Sequence, residues 1–249
     1  MPHVSPGGAD DKRAAVNHMF ARIAPRYDLM NKAMTGGLDG AWRRVAVREA
    51  ALPPNGAALD IGTGTGDLAI ALARSVPRSA VIGLDYTAPM LALAPAKSRQ
   101  SGVADRVAWV LGDGQKLPFA DAQFDSVTSA FVLRNFADLP TALGEMTRVT
   151  APGGRVIALE IAPDAAPVWR DLFAAYFRTV VPRMGRLLTG DGEAYTYLPE
   201  SVAGFLDGAS VASMMTAAGL VALPALRLAL GTIAVHRGAK PPVRTTLRR

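Results

Sequence analysis

The segment Leu59-Asp60-Ile61-Gly62-Thr63-Gly64-Thr65-Gly66-Asp67 holds the residues best suited to chemistry. Three glycines at alternate positions let a backbone pass close to a ligand. The apolar run Ala57 to Ile61 before them reads as a strand feeding a helix near Asp67 to Arg74. A doubly wound fold binds its nucleotide-type ligand where a first strand meets a first helix. The spacing is G-x-G-x-G, not the G-x-G-x-x-G of dinucleotide sites, and an acid, Asp60, stands two residues before its first glycine. A carboxylate there repels a pyrophosphate and attracts a ligand carrying an ammonium and a sulfonium. S-adenosyl-L-methionine fits that charge pattern; NAD fits it poorly.

Two more acids close the next two strands. Asp85 follows Ala80 to Leu84 at about twenty residues beyond the turn, the position that hydrogen-bonds ribose hydroxyls. Asp113, in Leu111-Gly112-Asp113-Gly114, follows Val107 to Leu111, where a carboxylate can accept from an adenine amino group. Any one of these acids is equally a helix cap. All three at successive strand ends favour a class I methyltransferase site.

The elements that must position these residues alternate regularly. The strands above, then Phe124 to Phe131 and Arg155 to Ile161, are separated by helices, one running on from Asp85 to about Arg99 and one from Leu139 to Val149. Pro152-Gly153-Gly154 reads as the turn before the last of these strands. This alternation predicts a mostly parallel α/β sheet with right-handed crossovers, Rossmann-like and doubly wound. Residues 11 to 51 look helical, and Pro53-Pro54-Asn55-Gly56 breaks them from the sheet. After the core come an amphipathic helix around Val168 to Val181, the irregular stretch GDGEAYTYLPES, and a helix near Ser210 to Ala218. Apolar runs Leu220 to Leu226 and Leu230 to His236 then suggest a hairpin closing the sheet edge. The expected plan is one domain: a helical cap (1–51), a cofactor-binding core (52–162), a helical insertion (163–206), a terminal helix and hairpin (207–240), and a basic tail (241–249).

Composition narrows the chemistry. The chain has 249 residues, half of them apolar and 19% charged, enough for one well-packed α/β domain. It has no cysteine, which excludes disulfides, cysteine–zinc sites and thiolate nucleophiles. His3, His18 and His236 are too scattered to suggest a metal site, so the chemistry falls to a bound cofactor. The net charge is +6, and His236 to Arg249 contains Arg237, Lys240, Arg244, Arg248 and Arg249 with no acid. That tail reads either as a solvated end or as a contact for anionic lipid. No basic stripe is interleaved with aromatics, so nucleic acid is not an expected partner. The start, MPHVSPGGADDKRAAV, lacks an apolar run behind a basic segment and does not read as a signal peptide. Residues 208 to 226 are uncharged but interrupted by Gly219 and Pro224, which makes them a poor membrane span. A cytoplasmic protein is expected, with contact at the inner face of the membrane left open.

From about Met19 to Lys240 the chain resembles the ubiquinone/menaquinone biosynthesis C-methyltransferases, which methylate the ring of a prenylated quinol. The resemblance rests on Met19-Phe20, Ile23-Ala24, Tyr27-Asp28-Leu29-Met30-Asn31 and Trp42. It continues through Leu117-Pro118-Phe119, Phe124-Asp125, Leu133-Arg134-Asn135, Arg148-Val149, Pro152-Gly153-Gly154 and Glu160. Late matches are Gly190-Asp191, Tyr195-Thr196-Tyr197-Leu198-Pro199-Glu200-Ser201 and His236-Arg237-Gly238-Ala239-Lys240. The family implies S-adenosyl-L-methionine contacts at Thr65, Asp85, Asp113-Gly114 and the position held by Ala130. The chain departs from the family at Ala130 (usually serine), Asp39 (usually histidine), Ala151 (usually lysine) and Ala162 (usually serine). A methylase of another small aromatic or polyketide, or a SAM-binding protein without catalysis, would use the same cofactor motifs.

Methyl transfer from a sulfonium is an in-line displacement, so positioning two reactants supplies much of the rate. A quinol ring carbon becomes nucleophilic when the neighbouring hydroxyl ionises. Lowering a phenol from about 10 toward 7 needs about 4 kcal/mol of anion stabilisation. Arg134, permanently charged, is the expected phenolate stabiliser, with Asn135 positioning the ring or the cofactor. Pairing of Arg134 with a structural carboxylate is the alternative. Tyr27 and Asp28 fall in the cap, a natural lid over the methionine end of the cofactor. Asp28 reads as a general base or a helix cap. Tyr195 and Tyr197 read as acceptor-pocket walls or simple packing. The inserted helix, with Trp169, Phe173, Tyr176 and Phe177, reads as core or a homodimer contact, or else as a tail tunnel.

Overall fold

A computed structural model describes residues 9–189, 197, 199, 201–202 and 204–243. Helices α1 (Ala9–Ile23), α2 (Tyr27–Thr35) and α3 (Asp39–Ala50) form the cap. Gly36 ends α2 in the left-handed region, where glycine has no Cβ penalty. The core then runs β1 (Ala57–Ile61), α4 (Asp67–Ser75), β2 (Ala80–Asp85), α5 (Ala88–Leu91), α6 (Ala94–Gln100), β3 (Val107–Leu111), β4 (Phe124–Ala130), α7 (Leu139–Val149) and β5 (Thr150–Ile161). Helix α8 (Pro167–Thr189) follows. The chain then adds α9 (Gly208–Ala217), β6 (Val221–Leu228) and β7 (Ile233–Ala239). Among the described residues no helix is long and apolar enough to cross a membrane.

The seven strands lie in the order β3-β2-β1-β4-β5-β7-β6. The first five are parallel; β7 runs antiparallel to β5 and β6 antiparallel to β7. Strand order reverses between β1 and β4, so the crevice beyond their carboxyl ends is the expected ligand site. Both faces of the sheet are covered. Leu68, Leu72, Val81 and Ile157 belong to one core cluster, and Leu59, Leu84, Val127 and Leu143 to another. A third, separate cluster of Ile23, Met30, Phe177 and Val181 joins the cap to α8.

Three sequence expectations change in detail. The single helix expected after Asp85 is two, α5 and α6, because Pro95 has no N–H for the Leu91 carbonyl and its ring crowds that position. Pro152-Gly153-Gly154 is not a turn before a strand but a bulged part of β5. Gly153 takes φ +82°, and the Gly153 N–H and Gly154 carbonyl bond to the Lys240 backbone. The inserted helix extends well past Val181 despite Pro182. In the hairpin, the β6 register shifts between Leu223 and Leu226, across Pro224, on an edge strand where a missing donor is tolerated.

Part of the expected basic tail belongs to the fold. Arg237 pairs with Glu49 at 2.8 Å, and Lys240 Nζ donates to the carbonyls of Thr147, Arg148 and Thr150 at 2.8, 3.3 and 2.7 Å. Arg244, Arg248 and Arg249 lie outside the described residues, as does Tyr195.

Candidate active site

The glycine turn after β1 has a backbone that side chains would block. Gly62, Gly64 and Gly66 adopt φ of +66°, +58° and +91°. A Cβ on Gly62 would come within 2.5 Å of Val132, and one on Gly66 within 2.5 Å of Trp109. Asp85, at the end of β2, accepts from the N–H of Gly64 and of Thr87, both at 2.7 Å, and so ties the turn to the second strand. Its burial pushes the carboxyl up from the ordinary range. Asp60 lies beneath the turn, 1% exposed, accepting from Thr63 at 2.7 Å and Thr128 at 2.9 Å. Burial raises Asp60 to about 6.

Gly62, Gly64, Asp85, Asp113, Gly114 and Ala130 share one cavity of about 110 Å³. Asn135 reaches the same cavity. Its far wall is helix α1, through Arg13, Val16, Asn17 and Phe20. Arg13 ion-pairs with Asp113 and lies over the Tyr86 ring, 5.7 Å from its centroid. Lys12 adds a tie to the Phe136 carbonyl at 3.0 Å. The periodicity of Val16, Met19, Phe20 and Ile23 indicated a helix there, but nothing in it indicated which surface the helix covers. Thr65 is placed elsewhere: its hydroxyl donates to Asp28 at 2.7 Å and accepts from Lys97 at 2.8 Å.

Asp28 is correspondingly engaged. Lys97 Nζ contacts Asp28 and Asp67, each at 2.5 Å, joining cap helix α2 to α4 and α6. Burial pushes Asp67 up, but Lys97 and Arg43 outweigh it and hold the carboxyl low. Asp28, read from sequence as a base or a helix cap, here fastens the cap and borders neither of these two cavities. Lys97 was not singled out from sequence, because 69 residues separate it from its partner Asp28.

A second cavity, about 310 Å³, lies beside the first. Phe20, Tyr27 and Phe131 border both and form the gate between them. The larger cavity is walled mainly by apolar and aromatic groups, among them Met19, Trp42, Phe173 and Phe177, with Arg134 and Arg43 as its cations. Arg134 sits on a short 3-10 turn, Leu133–Asn135. Its guanidinium pairs with the fully buried Glu160 and donates to the Phe131 carbonyl at 2.9 Å. Arg134 thus does pair with a structural carboxylate while still facing the cavity. Its Nε is buried with no acceptor among the described residues.

The gate is strained in a defined way. Phe131 is a non-glycine residue at φ +61°, held by its own N–H to Leu159 at 2.7 Å and by Arg134 on its carbonyl. Its ring meets Trp42 edge-on and Arg43 at 5.8 Å. Arg43 is paired with Asp39, the residue standing where the family resemblance implied histidine. Burial pushes the Tyr27 phenol up, so it remains an O–H donor at neutral pH. Tyr197 donates to Asn135 at 3.2 Å, placing Asn135 between the two cavities.

The smaller cavity fits S-adenosyl-L-methionine on its own chemistry. Asp85 and Asp113 offer acceptors at the ends of β2 and β3. A Cβ at Gly114 would fall 2.8 Å from Ile61 and Phe136, so the wall there has no room for a side chain. Asn17, on α1, presents a buried Oδ1 with no donor among the described residues, an opening for an amino group of the ligand.

A doubly wound sheet with a glycine turn, strand-end acids and this crevice defines a class I SAM-dependent methyltransferase. A solved SAM-dependent methyltransferase from Aquifex aeolicus shares the fold at a TM-score of 0.58 and 18% identity, over 79% of this chain and 88% of that one. Residues 8–240 match the ubiE/COQ5 methyltransferase family, and the chain belongs to it. The demethylmenaquinone methyltransferase of Deinococcus radiodurans is 46% identical over 86% of this chain and 88% of its own. The ubiquinone/menaquinone biosynthesis C-methyltransferase UbiE of Desulfotalea psychrophila is 42% identical over 92% of each. The protein is a SAM-dependent C-methyltransferase.

Proposed function

We propose that the acceptor is the ring of a prenylated quinol, reduced demethylmenaquinone, and that it binds in the larger cavity with one ring oxygen on Arg134. The observation that carries this reading is Arg134 among the walls of an aromatic cavity that shares Phe20, Tyr27 and Phe131 with the cofactor cavity. The names of relatives such as the Deinococcus radiodurans enzyme support the naphthoquinol over the benzoquinol.

When bound, S-adenosyl-L-methionine supplies an electrophilic methyl group; the chain's residues do the rest. Asp85 and the glycine turn hold the cofactor's polar groups. Phe20, Tyr27 and Phe131 orient the ring at the junction and exclude water. Arg134 holds the ring oxygen as its proton passes to solvent, the ring carbon that takes the methyl then gives up its own proton to solvent as aromaticity returns, and Glu160 keeps the guanidinium in one orientation. The low dielectric of the cavity strengthens that contact. Asn135, tied to Tyr197, positions the reactants from between them. Membrane contact belongs to the same reading, because a prenylated acceptor resides in lipid. The test is a comparison of labelled methyl incorporation into reduced demethylmenaquinone and into a demethylated benzoquinol, each in detergent. Preference for the naphthoquinol is expected; incorporation into neither, with cofactor bound, overturns the reading.

A further inference from the structure

Helix α8 has an outer surface that neither cavity uses. Val168, Trp169, Leu172 and Leu187 are 73%, 40%, 60% and 84% exposed. Trp169, Leu172, Val180 and Leu187 fall on one side of the helix by their spacing. Arg183 and Arg186 are exposed beside that apolar side, whereas Arg170, paired with Asp171 at 3.0 Å, and Arg178 line a separate pocket on another side of the helix. Arg178 and Arg183 donate to carbonyls of their own helix, at Ala174 and Thr179, which leaves their charge uncompensated by those bonds. The inner side of α8 supplies Phe173, Tyr176 and Phe177 to the acceptor cavity. Leu38, another wall residue of that cavity, is itself 55% exposed. By the same spacing Trp169, Val180 and Leu187 lie beside Phe173 and Tyr176, so the exposed apolar residues form a rim continuous with the wall of the acceptor cavity, bordered by Arg183 and Arg186.

We infer that α8 lies on an anionic lipid surface, with Trp169, Leu172, Val180 and Leu187 in the headgroup–acyl boundary and Arg183 and Arg186 among headgroup phosphates. This is the physics of an interfacial amphipathic helix, in which apolar area and cationic charge add. Charge selects lipid over a second copy of the chain: pairing two such faces sets Arg183 and Arg186 against their own copies, whereas an anionic headgroup layer complements them. The helix, not the terminal tail, carries the contact, since Arg237 and Lys240 are spent inside the fold. The inference rests on the proposed acceptor only in explaining why a lipid contact is useful: it sets the cavity that takes the ring beside the phase that holds the tail.

The test is co-sedimentation of the full-length protein with vesicles of phosphatidylcholine alone and of phosphatidylcholine with roughly a third phosphatidylglycerol. Binding to the anionic vesicles that weakens with salt is expected. A Leu172→Glu/Leu187→Glu variant should bind at least about tenfold more weakly. Arg183→Gln/Arg186→Gln should lose about thirtyfold, at about fivefold per arginine. Both should keep the wild-type affinity for S-adenosyl-L-methionine and the wild-type thermal midpoint. Binding that survives both α8 variants overturns the inference, as does binding lost only on replacing Arg244, Arg248 and Arg249 with glutamine. A dimer dissolved by the leucine variant, with no vesicle binding by wild type, assigns the face to a second copy and overturns it too. Methyl transfer to a short-tailed quinol in free solution should be equal in wild type and α8 variants. Its absence in all of them would count against the acceptor, not against the lipid surface.

Discussion

Replacing Arg134 with methionine removes the guanidinium and strands Glu160, whose side chain is 0% exposed against 7% for Arg134. Glu160 would keep the Ile161 N–H at 2.9 Å but no counter-charge. Breaking a buried ion pair from one side costs about 3–5 kcal/mol, because one charge stays buried and uncompensated. At about 2–4 °C per kcal/mol for a chain of this size, the thermal midpoint should fall by roughly 6–20 °C. Removing both charges is far milder, so Arg134→Met/Glu160→Gln should lie within about 1–2 kcal/mol of wild type. Activity should not follow stability. Both variants lose anion stabilisation worth up to about 4 kcal/mol, on the order of a thousandfold in rate. Urea unfolding monitors the first quantity and single-turnover transfer of a labelled methyl the second. A double variant as unstable as the single one, or one that regains activity with stability, would refute the assignment of two separable roles to Arg134.

Other expectations concern the turn, the latch and pH. Gly66→Ala should cost at least about 2 kcal/mol and abolish cofactor binding by calorimetry, since it forces a Cβ into Trp109 at a φ of +91°. Lys97→Met should cost only about 1 kcal/mol of stability, because the latch is partly solvated, yet it should weaken cofactor affinity by unfastening α2 from the turn. His236 is 4% exposed, and burial lowers it to about 4. The unfolded chain takes up that proton first, so His236 withdraws about 3 kcal/mol of stability as pH falls from about 6.5 to 4. Asp60, raised to about 6, acts in the opposite sense: its buried charge is relieved on acidification from about 6 to 4. A His236→Gln variant should therefore become more stable over that window by thermal melts. A falling stability there would refute the Asp60 assignment.

The core was legible because its signals are local. Glycine spacing, strand-end acids and apolar runs all fall within short windows, and Leu139–Val149 and Ala57–Ile61 appear at the expected bounds. Pairings between distant residues were not legible. Glu160 and Arg134 are separated by 26 positions, and Asp28 and Lys97 by 69, so only the sheet order and the cap placement bring them together. Nor does the α1 periodicity show that Arg13 and Asn17 close the cofactor cavity. The β5 bulge escaped because Gly153-Gly154 serves equally in a turn, and only the pairing with Lys240 decides between them.

The most direct test of the central claim is ring-carbon methylation of reduced demethylmenaquinone by wild type and by Arg134→Met/Glu160→Gln. S-adenosyl-L-methionine binding would be measured on the same samples. Wild type should place one labelled methyl on the ring carbon, and the variant should bind cofactor normally while transferring about a thousandfold more slowly. Equal rates in the two proteins, or a methyl on the ring oxygen, would contradict a mechanism in which Arg134 makes that carbon the nucleophile.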